Sequence, residues 1–472
     1  MRADLMRWPR ACIGLGALLV AACSSPDPLR PAVSAPTSAL VKPASPQVAQ
    51  DQPESSPEGP QSVAADEPAA PKPLPPKPLP NPPSSEPTVA IRLAEISAAQ
   101  PIVLKPSGKA RIIRDGDAIS SAWTTDGTLT VRLLNDGWKV SRSGGSAGAS
   151  ERMFGSGSLL IEPIGKTDEI RWNDRDWPGE MRLHVTDDGM DLVMVVGMEE
   201  YLPGVIAKEL YPSWTPAAYR AQAIAARSYA TVESDRWKGR RHYDMVAGQL
   251  SQAWIGATDN AKANDAVRQT RGQVLVESGR VVPAYYSSAC GGRPANALGT
   301  VTDNPHHAIA SVSTGDGAAR KDGCCEGSPV ASWQMVIPVS AIVTRVRAWG
   351  AANGRQDLAK LEGLQRVEAA DRNAAGRPVA MRLRPTRGAD LLIEAEDFRR
   401  AINAAGDAKT AVKSCDCEVV IRGAKATITG RGFGHGVGMC QHGAEAMGRA
   451  GRDERAILAR YYPKASIVRA WK

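Results

Sequence analysis

The sequence predicts an α+β fold, a β-rich body with packed helices, preceded by a Pro-rich segment that cannot build a core. Three observations carry this prediction. From Thr88 onward, short runs of β-branched and apolar residues recur between polar, Gly-containing turns. Residues 217–237 form an Ala-rich stretch of helical character. Residues 24–87 are dominated by Pro, Ala and Ser and carry few bulky apolar side chains. The chain has 472 residues, 43% of them hydrophobic. That is enough for one large domain or two moderate ones beside unfolded sequence.

The N-terminus predicts export. Arg2, Arg7 and Arg10 precede an apolar stretch over residues 12–22, too short to span a bilayer stably. It ends in Val20-Ala21-Ala22-Cys23, followed by Ser24 and Ser25. This junction resembles a bacterial lipobox, which implies a signal peptide over 1–22 and lipidation of Cys23. The plainer alternative is an ordinary secretory signal cleaved near an Ala-x-Ala site. A doubly acylated Cys23 would hold the protein at a membrane of the cell envelope. The segment 23–87 then reads as a disordered tether. Its run Pro71-Lys72-Pro73-Leu74-Pro75-Pro76-Lys77-Pro78 favours extended polyproline II, which advances about 3.1 Å per residue. No later segment is long and apolar enough to form a membrane-spanning helix.

The body opens with a β-rich lead-in over 88–170. Strands are expected at 89–92, 110–113, 128–134, 158–161, 180–184 and 191–196, with turns at Asn135-Asp136-Gly137 and Asp187-Asp188-Gly189. A helix is expected over 199–210, with Pro203 early enough to be tolerated in a first turn. Glu199 and Glu200 would complement its N-terminal dipole. Thr215-Pro216 reads as an N-cap followed by Pro at the first helical position, opening the Ala-rich helix. Residues 273–277 and 281–286 read as paired strands joined by Ser278-Gly279. A Gly-rich, Cys-containing insertion follows over 291–329. A helix is expected at 395–404, and another opens at Gln441 and His442 after the Gly-rich segment.

Two segments are specific enough to carry a resemblance. One runs Met198-Glu-Glu-Tyr-Leu-Pro-Gly-Val-Ile-Ala-Lys-Glu-Leu210 and continues from Pro216 through Gln222 and Arg227 to Ala230. The other is Gly430-Arg-Gly-Phe-Gly-His-Gly-Val-Gly-Met-Cys-Gln-His-Gly-Ala444. Together with residues 284–292, 396–400 and 457–463, they resemble the SpoIID/LytB family, the stage II sporulation protein D group. The resemblance spans about 171–467, and the SpoIID/LytB-like domain is therefore drawn over 171–468. It implies helices packed around a catalytic groove. It also implies a lytic transglycosylase or, in some members, an enhancer of a wall amidase. Such enzymes cut peptidoglycan glycan strands between N-acetylmuramic acid and N-acetylglucosamine, favour strands stripped of peptide, and leave 1,6-anhydro ends. The family's catalytic carboxylate matches Glu209. Leu210 and Tyr211, ahead of Pro212, depart from the family pattern.

Glycoside hydrolysis typically uses two carboxylates. A lytic transglycosylase manages with one, because the C6 hydroxyl of the substrate attacks the anomeric carbon and no water needs activation. That carboxyl must be protonated before it donates, so burial among apolar groups such as Leu210, Tyr211 and Trp214 would serve it. Gln222 and Arg227 are polar positions in the Ala-rich helix; they either hydrogen-bond glycan beside Glu209 or tie the helix into the fold. Tyr285 is a further candidate for substrate binding, as is Gln441, which with His442 opens the following helix toward the cleft. His435, in the Gly-rich loop, either orients sugar or is a buried imidazole bonded to backbone. That loop lacks the Lys-Ser/Thr of a phosphate-binding loop.

Eight cysteines are present. Export permits disulfides, and Cys290 with Cys324 or Cys325 is the favoured pairing. Some family members hold zinc in the element matching 285–292. Here Ser287 replaces an expected His, and Cys290, His306 and Cys324 are the residues that would ligate such an ion. No other cofactor is expected. The net charge of +8 suits an anionic wall polymer or membrane surface. No dense basic run or basic-aromatic motif points to nucleic acid.

Overall fold

The computed structural model describes residues 78–146, 148–248, 251–297, 300–301, 325, 327–404 and 410–472. The signal peptide, Cys23, most of the tether, His306 and Cys324 lie outside the described residues. The α+β expectation holds: strands build several sheets, and eight helices pack among the described residues.

The lead-in strands form two antiparallel sheets with one shared core. The larger runs in the spatial order Met245–Val246, Thr88–Ser97, Gly189–Gly197, Glu180–Thr186, Leu159–Pro163, Ala110–Arg114, Trp123–Thr125. The second runs Arg175–Pro178, Glu169–Trp172, Ile102–Pro106, Thr128–Leu134, Gly137–Ser143, Ser150–Gly155. Leu104, Leu129, Val131 and Val140 of the second sheet meet Ile112, Ile161, Leu183 and Leu192 of the first in one buried cluster. Their alternation along each strand is what places them on the inner face. Asn173 and Asp174 adopt left-handed φ values of 50° and 59° in the tight turn between two of these strands.

This arrangement moves two of the expected boundaries. The 170/171 border falls inside the strand Glu169–Trp172. The first strand of the lead-in pairs along its whole length with Gly189–Gly197, so lead-in and helical domain share a sheet. The tether also ends before residue 87. Leu79 is buried, and the carbonyl of Pro80 accepts from Val281 N–H at 2.8 Å. An apolar side chain and a backbone acceptor dock this stretch on the body.

Helix α1 spans Met198–Glu209 and α2 spans Pro216–Trp237. Pro203 falls in the second turn of α1, not the first, where its missing N–H leaves a carbonyl one turn back without its helical donor. The Gly197 N-cap supplies no side-chain acceptor, but Glu86 reaches across and accepts from Glu199 N–H at 3.0 Å. Thr215 caps α2 as expected, accepting from Ala218 N–H. Helix α2 is buried on both sides. Ala218, Ala223 and Ala226 face the core of the two sheets, while Ala221, Ile224 and Ala225 face a second cluster. Small side chains let both layers approach the helix axis closely.

The remaining helices are α3 (Ala261–Gln269), α4 (Val339–Ala352), α5 (Gln356–Ala359), α6 (Ala395–Asn403), α7 (Gln441–Arg449) and α8 (Glu454–Tyr461). Helices α7 and α8 cover the second side of α2, with Ile457, Leu458 and Tyr461 in its cluster. The strands Ser332–Pro338, Lys425–Arg431 and Cys417–Arg422 form a three-stranded sheet. With α4 and α6 it builds a separate core around Phe398, Ile402 and Ile428. The chain leaves this core through the Gly-rich loop and returns to α2 as the strand Met439–Cys440. That strand pairs parallel with Tyr286–Ser287. Among the described residues, no helix is long and apolar enough to cross a membrane.

Candidate functional site

Glu209 is the last residue of α1, so its side chain projects where helical packing stops. It is half-buried. Leu210 and Trp214 behind it are buried, at 5% exposure each, whereas Tyr211 turns outward at 41%. Gln441 Nε2 donates to Glu209 Oε2 at 3.0 Å. The bond joins the end of α1 to the first residue of α7, 232 positions later in the chain. Burial raises the Glu209 pKa above the usual carboxylate value; the Gln441 side chain and the Ala253 backbone N–H, which donate to the charged form, pull the other way.

The surroundings come from three further segments. Gly204 of α1 lies where an added Cβ would stand 2.1 Å from the carbonyl oxygen of Gly256. Only a residue without a Cβ lets the loop after Gln252 lie this close to α1. Gln252 is buried and accepts from the Tyr201 hydroxyl at 3.1 Å. It donates to the Tyr286 hydroxyl at 3.0 Å and to the Ala226 carbonyl at 3.2 Å. Burial, with the Glu209 charge second, pushes the hydroxyls of Tyr201 and Tyr286 well above their ordinary pKa. Both stay protonated donors beside the carboxyl.

Gln222 lies fully buried on α2, with Oε1 3.5 Å from Gln441 Nε2. Among the described residues, its own Nε2 has no hydrogen-bond partner. Gln222 and Gln441 thus stand in line behind Glu209.

Other expected site residues are elsewhere. Arg227 is wholly buried and forms an ion pair with Glu199, with Nη2–Oε2 2.7 Å and Nε–Oε1 3.1 Å. It also donates to the Gln273 carbonyl at 3.1 Å. This is the tie into the fold, not a glycan contact; full burial leaves the guanidinium nothing to offer a ligand. Glu199 is more than a dipole complement, because its Oε1 also accepts from Gly272 N–H and Trp471 Nε1, each at 3.0 Å.

His435 is the backbone-bonded type of imidazole, half-buried in its loop. Its Nδ1 accepts from Val437 N–H at 3.0 Å. Burial, opposed by Glu396, pushes its pKa down to about 4, and a backbone hydrogen bond to Tyr286 engages the ring as well. The neutral ring braces the loop against the 285–286 strand. The loop's link to Glu209 is made six residues later, by Gln441. Gly438 makes that path possible: with φ of 69°, an added Cβ would lie 1.8 Å from the Tyr285 carbonyl oxygen. Tyr285 packs edge-on to His435, with ring centroids 6.3 Å apart, and to Tyr229 at 5.5 Å. His442 carries its ring against Trp214 at 5.0 Å and Tyr211 at 6.1 Å. This makes an aromatic group that begins two residues after Glu209.

The favoured disulfide is not formed to Cys325. The Sγ atoms of Cys290 and Cys325 lie 4.0 Å apart, about twice a bonded S–S length. Cys440 joins them, all three Sγ atoms lying within 4.8 Å of one another.

Tyr201, Gln252, Ala253 and Tyr286 were not singled out from the sequence. Tyr286 stood beside Tyr285 in a segment already marked by resemblance. Gln252 and Ala253 lie in a loop without a motif, and only tertiary contact reveals them. A cavity of about 520 Å³, lined by Glu162, Glu169, Glu180 and Glu200 among others, does not include Glu209.

Residues 186–276 match the model of the stage II sporulation protein family, SpoIID. This stretch contains α1, α2 and the Gln252 loop. A Brachyspira hyodysenteriae protein described as uncharacterised is 25% identical over 390 residues, covering 80% of this chain and 92% of its own length. The stage II sporulation protein D of Bacillus subtilis is 27% identical over 290 residues, 58% of this chain and 75% of that protein. The amidase enhancer of Bacillus subtilis is 28% identical over 300 residues, 57% of this chain. The chain spans only 40% of that last relative's length.

Proposed function

We propose that the chain cleaves peptidoglycan glycan strands as a lytic transglycosylase of the SpoIID/LytB type, with Glu209 as its single acid/base; its similarity to the stage II sporulation protein D family supports this reading. The Glu209 carboxyl carries the reading: it is half-buried, its pKa is raised by burial, and Gln441 holds it from the other end of the domain. In this mechanism the protonated carboxyl gives its proton to the glycosidic oxygen as the bond to the muramyl C1 breaks. The muramyl C6 hydroxyl then attacks C1, and the Glu209 carboxylate takes the hydroxyl proton. The products are a 1,6-anhydro muramyl end and a free glucosaminyl 4-hydroxyl. Gln441 orients the carboxyl, and the exposed Tyr211 ring and the half-buried His442 ring offer flat surfaces to sugar beside it.

Export and a lipid anchor at Cys23 belong to the same proposal, since peptidoglycan lies outside the cytoplasmic membrane. The segment before residue 78 would set the reach from that membrane to the wall.

The test is digestion of peptide-stripped glycan strands, with mass spectrometry for anhydro-muramyl ends. Wild-type protein should yield them, and folded Glu209→Gln should lose at least about 10²-fold in rate. No product from wild type on any glycan preparation would favour the second reading, binding of glycan without cleavage to enhance a wall amidase. The similarity to a protein named for amidase enhancement supports that alternative. Its readout is acceleration of a purified amidase on whole wall.

A further inference from the structure

We propose that Gln222 is a positioning residue for Glu209 that acts through Gln441: its side-chain oxygen holds the Gln441 amide with the N–H end on the carboxyl. The role rests on the reading of Glu209 as the acid/base. Gln222 sits on α2 with no exposed surface, which keeps it from glycan. Gln441, 3% exposed, stands between it and Glu209. Gln441 Nε2 donates to both, to Glu209 Oε2 at 3.0 Å and to Gln222 Oε1 at 3.5 Å.

The two ends of a side-chain amide have nearly the same shape and opposite polarity. Packing alone therefore admits a buried glutamine either way round, and its polar neighbours choose. For Gln441 both of these neighbours are oxygens. Turned over alone, it would set its carbonyl oxygen against Glu209 and Gln222 together, and burial makes such unmatched acceptors costly. Turning Gln222 as well would restore one bond, but a carbonyl oxygen would still face the carboxylate.

Gln222 has no competing attachment. Among the described residues, Gln441 is the one hydrogen-bond partner of its amide, and the Nε2 end has none. A buried amide satisfied at one end costs stability, and an apolar side chain would fill the space without that cost. What the amide contributes is its hold on Gln441. The effect falls on the Glu209 proton, because burial raises the pKa and the Gln441 donor lowers it. Lys208 and the hydroxyls of Tyr201 and Tyr286 are the other titratable groups that act on this carboxyl or feel its charge. Gln222 bonds to none of them.

Carboxyl NMR of the full-length protein with isotope-labelled Glu reads the titration of Glu209, assigned by its loss in Glu209→Gln. Gln222→Met keeps the bulk and removes the oxygen. It should raise the pH at which Glu209 titrates by about one unit. Added to Gln441→Leu, it should move that titration no further. In wild-type protein the side-chain amide signals of Gln222 should shift with the Glu209 midpoint, a readout that stands even if Gln222→Met fails to fold. An unmoved titration in folded Gln222→Met would overturn the role. So would the same shift in the Gln441→Leu background, or Gln222 amide signals indifferent to the Glu209 midpoint. None of these readouts needs glycan to be cut. Absence of anhydro-muramyl product ends the reading of Glu209 as the acid/base, whereas an unmoved titration ends the role of Gln222 alone.

Discussion

Glu209 and Gln441 set each other's chemistry. The amide N–H donates to the carboxylate and so favours its ionised form, against the burial that favours the neutral acid. The proposed reaction begins from the neutral acid, so its rate falls as pH rises through the Glu209 pKa. Gln441→Leu removes the donor and keeps the bulk. The Glu209 pKa should then rise further, and the alkaline limb of kcat/KM should move to higher pH. The rate at the optimum should fall as the carboxyl loses its orientation. A pH–rate profile on stripped glycan checks this; an unmoved limb, or one shifted to lower pH, would mean the hydrogen bond does not set the acid.

At the scale of elements, α1 and α2 are joined by a buried ion pair instead of by apolar packing alone. Arg227 of α2 and Glu199 of α1 are both nearly sealed from solvent, at 0% and 7% side-chain exposure. Their partners include the Gln273 carbonyl, Gly272 N–H and Trp471 Nε1, so the pair also holds the strand Gln273–Glu277 and the C-terminal segment. Arg227→Met leaves Glu199 charged in the interior, which should cost about 3–5 kcal/mol in urea unfolding. Adding Glu199→Gln removes the stranded charge and keeps an acceptor. The double variant should therefore recover much of the loss. A double variant no more stable than Arg227→Met would rule out the stranded charge as the cause.

For the molecule as a whole, the segment just before the first strand is part of the fold. Glu86 accepts from Glu199 N–H at the uncapped start of α1 and pairs with Arg271. Leu79 and Pro80 dock nearby on the 280–281 strand, through the bond from Val281 N–H and one from Arg280 to the Leu79 carbonyl. A chain starting at residue 88 should melt several degrees below one starting at residue 78. Glu86→Ala alone should cost about 0.5–2 kcal/mol, the worth of a lost helix cap. Thermal melts of the three proteins decide it; equal melting temperatures would mean that this docking adds nothing to stability.

Local patterns made much of this legible in the chain itself. The strand Thr128–Leu134 and the turn at Ser278-Gly279 follow from alternation and from the left-handed φ values of 50° and 76° that the turn needs. Thr215-Pro216 marks the start of α2 for reasons contained in those two residues. The motif around Glu209 singled out that carboxyl, and the Gly-rich segment singled out Gln441. Their meeting across 232 positions depends on how α2 packs between two cores, which no local pattern encodes. The same holds for Arg227, polar in sequence and sealed in the fold; for His435, bonded to backbone on its own loop; and for the three converging sulfurs. Backbone propensity acts over a few neighbouring residues and can be read along the chain. Burial and charge pairing are properties of residues distant in sequence, so only the packed structure decides which polar group meets solvent and which meets a partner.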